Sequence, residues 1–211
     1  MRQNRFGKAM PLLAALLLSG PLSASQALKP DASLEREVSA AIRNTPRYGP
    51  FDLITYEVSG HTVTLGGDVY RGVLKQDAEA AVEAVPGVTR VVDSIKVLPV
   101  SFNDDRLRRE VFVRIYHDNF LSKYGPPYAM MGPGAWERWH ASWALGPDLA
   151  LGLEPIGNYA IHVVVDHGQV TLYGNVDNAV DRDKASFDAR TVLGVRDVVN
   201  RIQVRGAGAA A

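Results

Sequence analysis

The sequence contains no cysteine among its 211 residues. This absence excludes a cysteine nucleophile, a thiolate metal site and a disulfide framework. It also removes the N-terminal cysteine to which a lipid would be attached, so we expect a soluble protein that is not a lipoprotein. Domains of sufficient size fold without disulfides, so the absence does not argue against export.

A membrane-spanning apolar run is absent as well. The apolar stretch at residues 9–18 is shorter than the roughly 20 residues that span a bilayer, and Pro11 interrupts it. Three basic residues precede this stretch and small residues follow it at 23–27. This order predicts a cleaved secretory signal at residues 1–27 and a periplasmic location.

The chain also lacks an excess of charge of one sign. It contains 23 Lys and Arg and 23 Asp and Glu, and loss of the predicted signal leaves 20 basic residues. The mature chain therefore has a net charge of about −3, whereas binding to nucleic acid draws on a dense basic surface. We expect no nucleic-acid partner.

Signatures of catalysis and of cofactor binding are missing too. The sequence has no Gly-x-Ser-x-Gly motif and no phosphate-binding glycine loop after a strand. His162 is predicted on the outer face of a strand, with Asp166 and His167 in a hairpin turn, so these side chains do not converge on a metal. Asp181 and Asp183 are interpreted as a solvated helix face. We expect no enzyme activity, no cofactor and no metal.

What the sequence does contain is an internal duplication. Residues 63–69 read VTLGGDV and residues 170–176 read VTLYGNV, a shift of 107 positions that continues to the end of both copies. The helical pattern that begins at Leu34 returns at Leu107, after 73 positions. The difference of 34 residues is an insertion inside the second copy.

Each copy is predicted to fold as an α-β-β-α-β unit of the α+β class, with a three-stranded mixed sheet and two helices on one face. The first unit spans residues 30–100 and the second spans residues 103–205. An aromatic insertion rich in glycine and proline occupies about 117–157, and residues 206–211 are predicted to be a disordered tail.

Individual positions within the units carry more specific predictions. Strand alternation places Leu65 and Leu172 in the two cores. Gly67 and Gly174 stand in mid-strand and indicate a bulge or the close approach of a helix backbone. Asp104 is predicted to cap the first helix of the second unit.

The duplicated pattern resembles the BON domain, a family named for bacterial osmotically inducible periplasmic and nodulation proteins. The pattern V-T-L-x-G-x-V, followed by V-P-G-V-x-x-V-V-D-x-I-x-V, stands at 63–97 and, with Leu193 and Asn200 as replacements, at 170–204. The resemblance implies a non-enzymatic periplasmic module associated with envelope integrity, osmotic stress and phospholipid binding. It also implies that lipid contact falls on the first helix of the second unit, residues 105–116.

The insertion contains every tryptophan of the chain. Their spacing of three and four places the rings on one face of a short helix at 135–145. Such rings suit a membrane interface, a protein partner or a cover over the outer face of the sheet, and the sequence leaves these roles open. The candidate residues for membrane or partner contact are Trp136, Trp139, Trp143, Tyr128, Met130 and Met131.

Arginines crowd the helix that precedes the insertion. Guanidinium groups bind phosphate in a fork geometry, so a phospholipid headgroup is a candidate ligand. A solvated helix face with intrahelical ion pairs is the alternative. The candidate headgroup residues are Arg106, Arg108, Arg109 and Arg114.

Taken with the resemblance, these features lead to the hypothesis of a non-enzymatic periplasmic protein of envelope maintenance or envelope stress. In this hypothesis the arginines bind phospholipid headgroups and the aromatic insertion meets the membrane surface. One alternative is a protein-interaction or scaffolding module whose insertion docks an envelope protein. A sensor of a small ligand or a cation is the other alternative, although no convergent polar cluster is visible in the sequence.

Overall fold

The computed structural model describes residues 30–125 and 155–206. The predicted signal, the tryptophan-containing part of the insertion and the tail beyond residue 206 lie outside these residues. Two units of the same topology make up the described part, and we refer to them as the first and second repeats.

The first repeat packs two helices against a mixed sheet. After the first helix come two antiparallel strands, a second helix, and two short strands that pair parallel with the second strand. Its elements are α1 (Pro30–Arg43), β1 (Leu53–Ser59), β2 (Thr62–Val69), α2 (Gly72–Glu83), β3 (Arg90–Asp93) and β4 (Lys96–Val97).

The second repeat has the same order of elements, with one short 3₁₀ turn, Ser122–Tyr124, after its first helix. Its first two strands are antiparallel, and its last strand pairs parallel with the middle one along eight residues. The elements are α3 (Phe102–Tyr116), β5 (Ile161–Asp166), β6 (Gln169–Val176), α4 (Ala179–Arg190) and β7 (Asp197–Val204).

This architecture confirms the predicted α+β class and the two tandem α-β-β-α-β units. One difference concerns the third strand of the first repeat, which is divided into β3 and β4. A side-chain bond lies at this point in both repeats: the Asp93 carboxylate accepts the N–H of Ile95 at 2.8 Å, and the Asn200 amide oxygen accepts the N–H of Ile202 at 3.0 Å. A carboxylate and an amide therefore serve the same role at this position.

The sheets and helices enclose two apolar clusters, one for each repeat. Leu65 and Leu172 are fully buried, which confirms the prediction from strand alternation. The clusters are not strictly separate, because Phe51 of the first repeat belongs to the cluster of the second.

Gly67 and Gly174 are required by the close approach of the chain where the neighbouring strand begins, whereas the sequence predicted a bulge or the approach of a helix backbone. A Cβ atom on Gly67 would lie 2.1 Å from the carbonyl oxygen of Leu53, and one on Gly174 would lie 1.9 Å from that of Ala160. Both glycines also have positive φ, 102° and 138°. Only glycine combines this backbone conformation with the missing Cβ.

The prediction that Asp104 caps α3 is wrong. Ser101 is the cap, because its hydroxyl accepts the N–H of Asp104 at 3.2 Å. The buried Asp104 carboxylate instead accepts the N–H groups of His167 at 2.9 Å and Gly168 at 2.8 Å. It thereby fixes the β5–β6 turn, a contact over more than 60 positions that local sequence rules do not reveal.

Replacement of Gly174 by alanine should lower the free energy of unfolding by about 1–3 kcal/mol through backbone strain alone, and further through the clash with Ala160. Gly60→Asn is the control, because Gly60 has φ 59° and open space around a Cβ, and asparagine tolerates this conformation. Urea melts measure both variants. A loss below about 0.5 kcal/mol for Gly174→Ala would contradict the required close approach.

Candidate functional site

The two repeats meet where residues 48–52, between α1 and β1, cross to the second repeat. The N–H of Gly157 donates to the carbonyl of Tyr48 at 2.8 Å, and the N–H of Val163 donates to the carbonyl of Pro50 at 2.6 Å. The second bond joins the first repeat to β5, which is an edge strand. We call this contact region the junction.

Aromatic side chains fill the junction. The Phe51 ring meets Phe112 of α3 edge to face at 5.6 Å and Tyr70 at 6.0 Å. Phe112 in turn contacts Tyr116 at 4.6 Å and Tyr159 at 5.4 Å. Edge-to-face contacts at these distances add to the stabilisation from apolar burial, so one aromatic layer packs α3 against both repeats.

Side chains of α3 satisfy the outer edge of β5. The Tyr116 hydroxyl accepts the N–H of Ile161 at 3.0 Å and donates to the carbonyl of the same residue at 2.7 Å. Burial raises the pKa of the Tyr116 phenol well above its ordinary value. Arg108 donates to the carbonyl of Val165 at 3.2 Å. An edge strand exposes unpaired backbone groups, and here the first repeat and α3 pair several of them.

The structure places Arg108 inside the junction, so its predicted position on a headgroup-binding surface is wrong. The residue is 2% exposed, and its guanidinium group lies 4.8 Å from the Tyr70 ring centre and pairs with Asp105. Burial lowers the pKa of Arg108, although Asp105 opposes the shift. The helical spacing to the buried Val111 and Phe112 was the available sequence signal for this inner position.

The other candidate arginines lie on the outer side of α3. Arg106 donates to both carboxylate oxygens of Glu110 at 2.9 and 2.8 Å, and to the carbonyl of Leu193 at 3.3 Å. Arg109 is half-buried and Arg114 is exposed. Arg114 also lines a groove of about 840 Å³ between α3 and the end of α4.

Two large apolar side chains lie exposed at the same end of the second repeat. Phe102, at the start of α3, is 65% exposed, and Leu193, in the loop between α4 and β7, is 87% exposed. Leu193 adjoins Arg106 through the bond from its carbonyl. We call Phe102, Arg106, Arg109, Arg114 and Leu193 the α3 face.

The first repeat serves as an internal reference for the α3 face. Arg106 aligns with Ser33, Arg114 with Ala41, and Leu193 with Pro86, whereas Arg109 aligns with another arginine. The repeat fold therefore forms without two of these positive charges and without the exposed leucine.

The opposite wall of the groove is formed by α4, whose Lys184 is paired both within α4 and with Asp118, which follows α3. Lys184 bonds to Asp118 and Asp188, at 2.6 Å in each case. Nearby, Asp181 is buried rather than solvated as predicted: it accepts from Lys123 at 2.8 Å and from the Tyr124 hydroxyl at 2.5 Å. The bond from Lys123 holds the pKa of Asp181 below its ordinary value. A carboxylate held in this way is poorly suited to act as a general acid.

His162 and the hairpin-turn residues do not meet. The His162 ring packs on Tyr48 at 5.7 Å and its Nδ1 lies 2.6 Å from the carbonyl oxygen of Asp52, so the first repeat covers this part of the outer strand face. Asp166 accepts from Lys96 at 2.8 Å. Within residues 30–125 and 155–206, no three metal-binding side chains gather.

Asp52 is a site residue that the sequence reasoning missed. It is 1% exposed, and its Oδ1 accepts the N–H of Tyr70 at 3.1 Å. The signal in the sequence was weak, because an aspartate in a loop is ordinarily solvated. The remaining candidates, Tyr128, Met130, Met131 and the three tryptophans, lie outside the described residues.

The fold and site together define a two-repeat module with a shared junction. The model of the BON domain family matches residues 30–99 and 150–206, more than half of the sequence. The chain therefore belongs to the BON domain family. Such domains are typical of periplasmic or membrane-associated envelope proteins and are generally not enzymes. Among the described helices, none has the length and apolar content needed to cross a bilayer.

Two solved structures of CdsD, described as a structural protein of the type III secretion system of Chlamydia trachomatis, are also similar. One, of the C-terminal domain, has 14% identity over 81% of this chain and 96% of its own, with a TM-score of 0.25. The other has 16% identity over 82% and 92%, with a TM-score of 0.25. No curated protein matches the sequence.

Replacement of Arg108 by methionine should lower the free energy of unfolding by about 1.5–3 kcal/mol, because charged hydrogen bonds at a buried site are lost. Arg106→Met is the matched control on the same helix, with an expected change within about 0.5 kcal/mol because exposed ion pairs contribute little. Chemical denaturation compares the two. Equal small losses would show that Arg108 does not hold the junction.

Proposed function

We propose that this protein binds the phospholipid surface of the cell envelope through the α3 face, as a non-enzymatic protein of envelope maintenance or stress. Residues 1–27 would direct its export to the periplasm. The observation that carries the proposal is the grouping of three arginines, one exposed and two half-buried, with two exposed apolar side chains on the outer side of the second repeat.

The chemistry of the α3 face suits a phosphate-bearing surface. Guanidinium groups bind phosphate oxygens in a fork, and exposed apolar side chains enter the boundary between headgroups and acyl chains. Arg106 is held by Glu110 in an exposed i,i+4 pair, which contributes only about 0.3–0.5 kcal/mol. A phosphate can therefore replace Glu110 at little cost.

The comparison between the repeats also supports a binding role. Surface positions that a fold does not need can differ between its copies, and here three such differences, Arg106, Arg114 and Leu193, lie together on one face. The overall charge of the mature chain is slightly negative, so attraction to an anionic membrane has to be local.

The α3 face is tested by returning it to the residues of the first repeat, in the triple variant Arg106→Ser, Arg114→Ala and Leu193→Pro. Co-sedimentation with phosphatidylglycerol vesicles should weaken about thirtyfold from the two arginines alone, at about 1 kcal/mol for each basic residue near an anionic surface. The melting midpoint should stay near that of the native protein, because these positions are exposed or half-buried.

The matched control is Arg36→Ser with Arg43→Ala, which removes two exposed charges from α1 of the first repeat. This variant should bind the vesicles as the native protein does. An equal loss of vesicle binding in both variants would show that binding depends only on the net charge of the protein. Unchanged binding by the triple variant would overturn the α3 face as the site.

A protein partner is the second candidate function, and the anchoring of the aromatic insertion favours it. The carbonyl of Tyr124 accepts the N–H of Ala160 at 3.3 Å, so the described ends of the insertion are joined. Gly125 also lies against the Tyr116 ring. The insertion is therefore attached beside the C-terminal end of α3, where its rings would act together with the α3 face or on a protein bound there.

Changing Trp136, Trp139 and Trp143 together to serine separates these roles. Loss of vesicle binding with an unchanged melting midpoint supports a membrane interface. Strong destabilisation supports a covering role, because truncating one buried tryptophan costs about 3–5 kcal/mol. Unchanged stability and unchanged vesicle binding would leave the protein-partner role. That role predicts that the variant is no longer crosslinked to envelope proteins. Native tryptophan emission, which comes only from this segment, should shift to the blue with vesicles if the membrane role holds.

A further inference from the structure

Two titratable side chains, the buried Asp52 and the half-buried His162, lie on the two sides of the junction. Asp52 of the first repeat bonds through Oδ1 to the N–H of Tyr70, and among the described residues no hydrogen bond reaches its Oδ2. His162 of the second repeat lies against the backbone of the same aspartate, with Nδ1 2.6 Å from the carbonyl oxygen. Since a carbonyl only accepts, Nδ1 carries the proton.

The groups around Asp52 do not give its carboxylate a hydrogen-bonded counter-ion. Arg108 is engaged by Asp105 and the carbonyl of Val165, and the Arg71 guanidinium lies 4.9 Å from the Tyr70 ring centre. Burial consequently outweighs the bond from Tyr70 and the two arginines, and it raises the pKa of Asp52 to about 7. The titratable and charged groups that face Asp52 are Tyr48, Tyr70, Arg71, Arg108 and His162.

His162 shows the opposite shift for the same physical reason. Burial disfavours its imidazolium form and lowers its pKa, although the backbone of Asp52, Gly49 and Tyr159 accepts from the ring and opposes the shift. One buried acid and one half-buried base thus lie on the two sides of a single contact.

We propose that Asp52 and His162 form a compensating pair at the junction, so that the contact between the two repeats depends little on pH across the neutral range. Asp52 alone would weaken the contact as pH rises, whereas His162 alone would strengthen it. When both residues are present, their two pH dependences largely offset each other.

The directions follow from proton linkage. The pKa of Asp52 is raised in the closed junction, so its contribution is complete below its ordinary value of 3.8 and is lost as pH rises through about 7. The pKa of His162 is lowered, so its contribution is present above its ordinary value of 6.5 and is lost as pH falls through the lowered value. As pH rises from 6 to 8, the titration of Asp52 favours opening of the junction, and the titration of His162 favours its closure.

Amide hydrogen exchange on the full chain measures opening of the junction. The reporter is the N–H of Val163, which donates to Pro50 across the contact, and the reference is the N–H of Ser94, which donates to Leu65 within the first repeat. For His162→Asn, protection at Val163 should fall about tenfold from pH 6 to pH 8. For Asp52→Asn it should rise about three- to fourfold.

In the native protein, protection at Val163 should change by less than about threefold over the same pH range. In the double variant it should not depend on pH. Asp93→Asn is the matched control, because Asp93 is another carboxylate of the first repeat. Its Oδ2 lies 3.4 Å from Nζ of Lys75, and the equivalent residue of the second repeat is Asn200. This control should follow the native curve.

The proposal is overturned if both single variants keep the native pH dependence, or if both shift it in the same direction. A second measurement needs no variant. Carbon-13 detection of the Asp52 carboxyl in the native protein should show a titration midpoint near 7, and a midpoint near 3.8 would also overturn the pair.

Discussion

The crossing of residues 48–52 into the second repeat is the contact on which the arrangement of this protein depends. An edge strand with unpaired backbone groups is open to foreign strands, and β5 is closed by Pro50 from the first repeat and by Tyr116 and Arg108 from α3. Because Phe51 is part of the apolar cluster of the second repeat, that core is completed by the first repeat. The tandem units are therefore one packed structure.

Comparison of the two repeats separates the positions that the shared fold fixes from the positions at which the copies differ. Leucines such as Leu65 and Leu172 hold the same core position in both copies. By contrast, the buried Leu74 aligns with Asp181, a buried carboxylate that requires partners. Lys123 and Tyr124, from the start of the insertion, supply them. The insertion and the polar change in α4 thus depend on each other.

Sequence patterns were sufficient for the topology, because alternation and helical spacing act within each unit. The duplication also identified the paired leucines and the paired strand glycines. What it did not reveal were three contacts between distant segments: Asp104 on the β5–β6 turn within the second repeat, and His162 on Asp52 and Arg108 on Tyr70 between the repeats. Each of these joins positions at least 38 residues apart in the printed sequence, and no local rule specifies which partner will satisfy a buried charge. Helical spacing could have separated Arg108 from the other arginines of α3, but it could not identify Tyr70 and the carbonyl of Val165 as the groups that Arg108 contacts.

Helix α3 connects the junction to the candidate membrane surface. Its inner side carries Arg108, Phe112 and Tyr116, which hold the first repeat and β5, and its outer side carries Arg106 and Arg114. A helix fixed on one side presents its other side without further loss of conformational freedom, which favours binding through preorganisation. Individual contacts of exposed arginines with a headgroup are weak, so their effect depends on being held together. The buried aromatic and charged contacts of the junction provide that support, so the outer side of α3 can differ from its counterpart in α1 at a few positions while the fold beneath it stays the same.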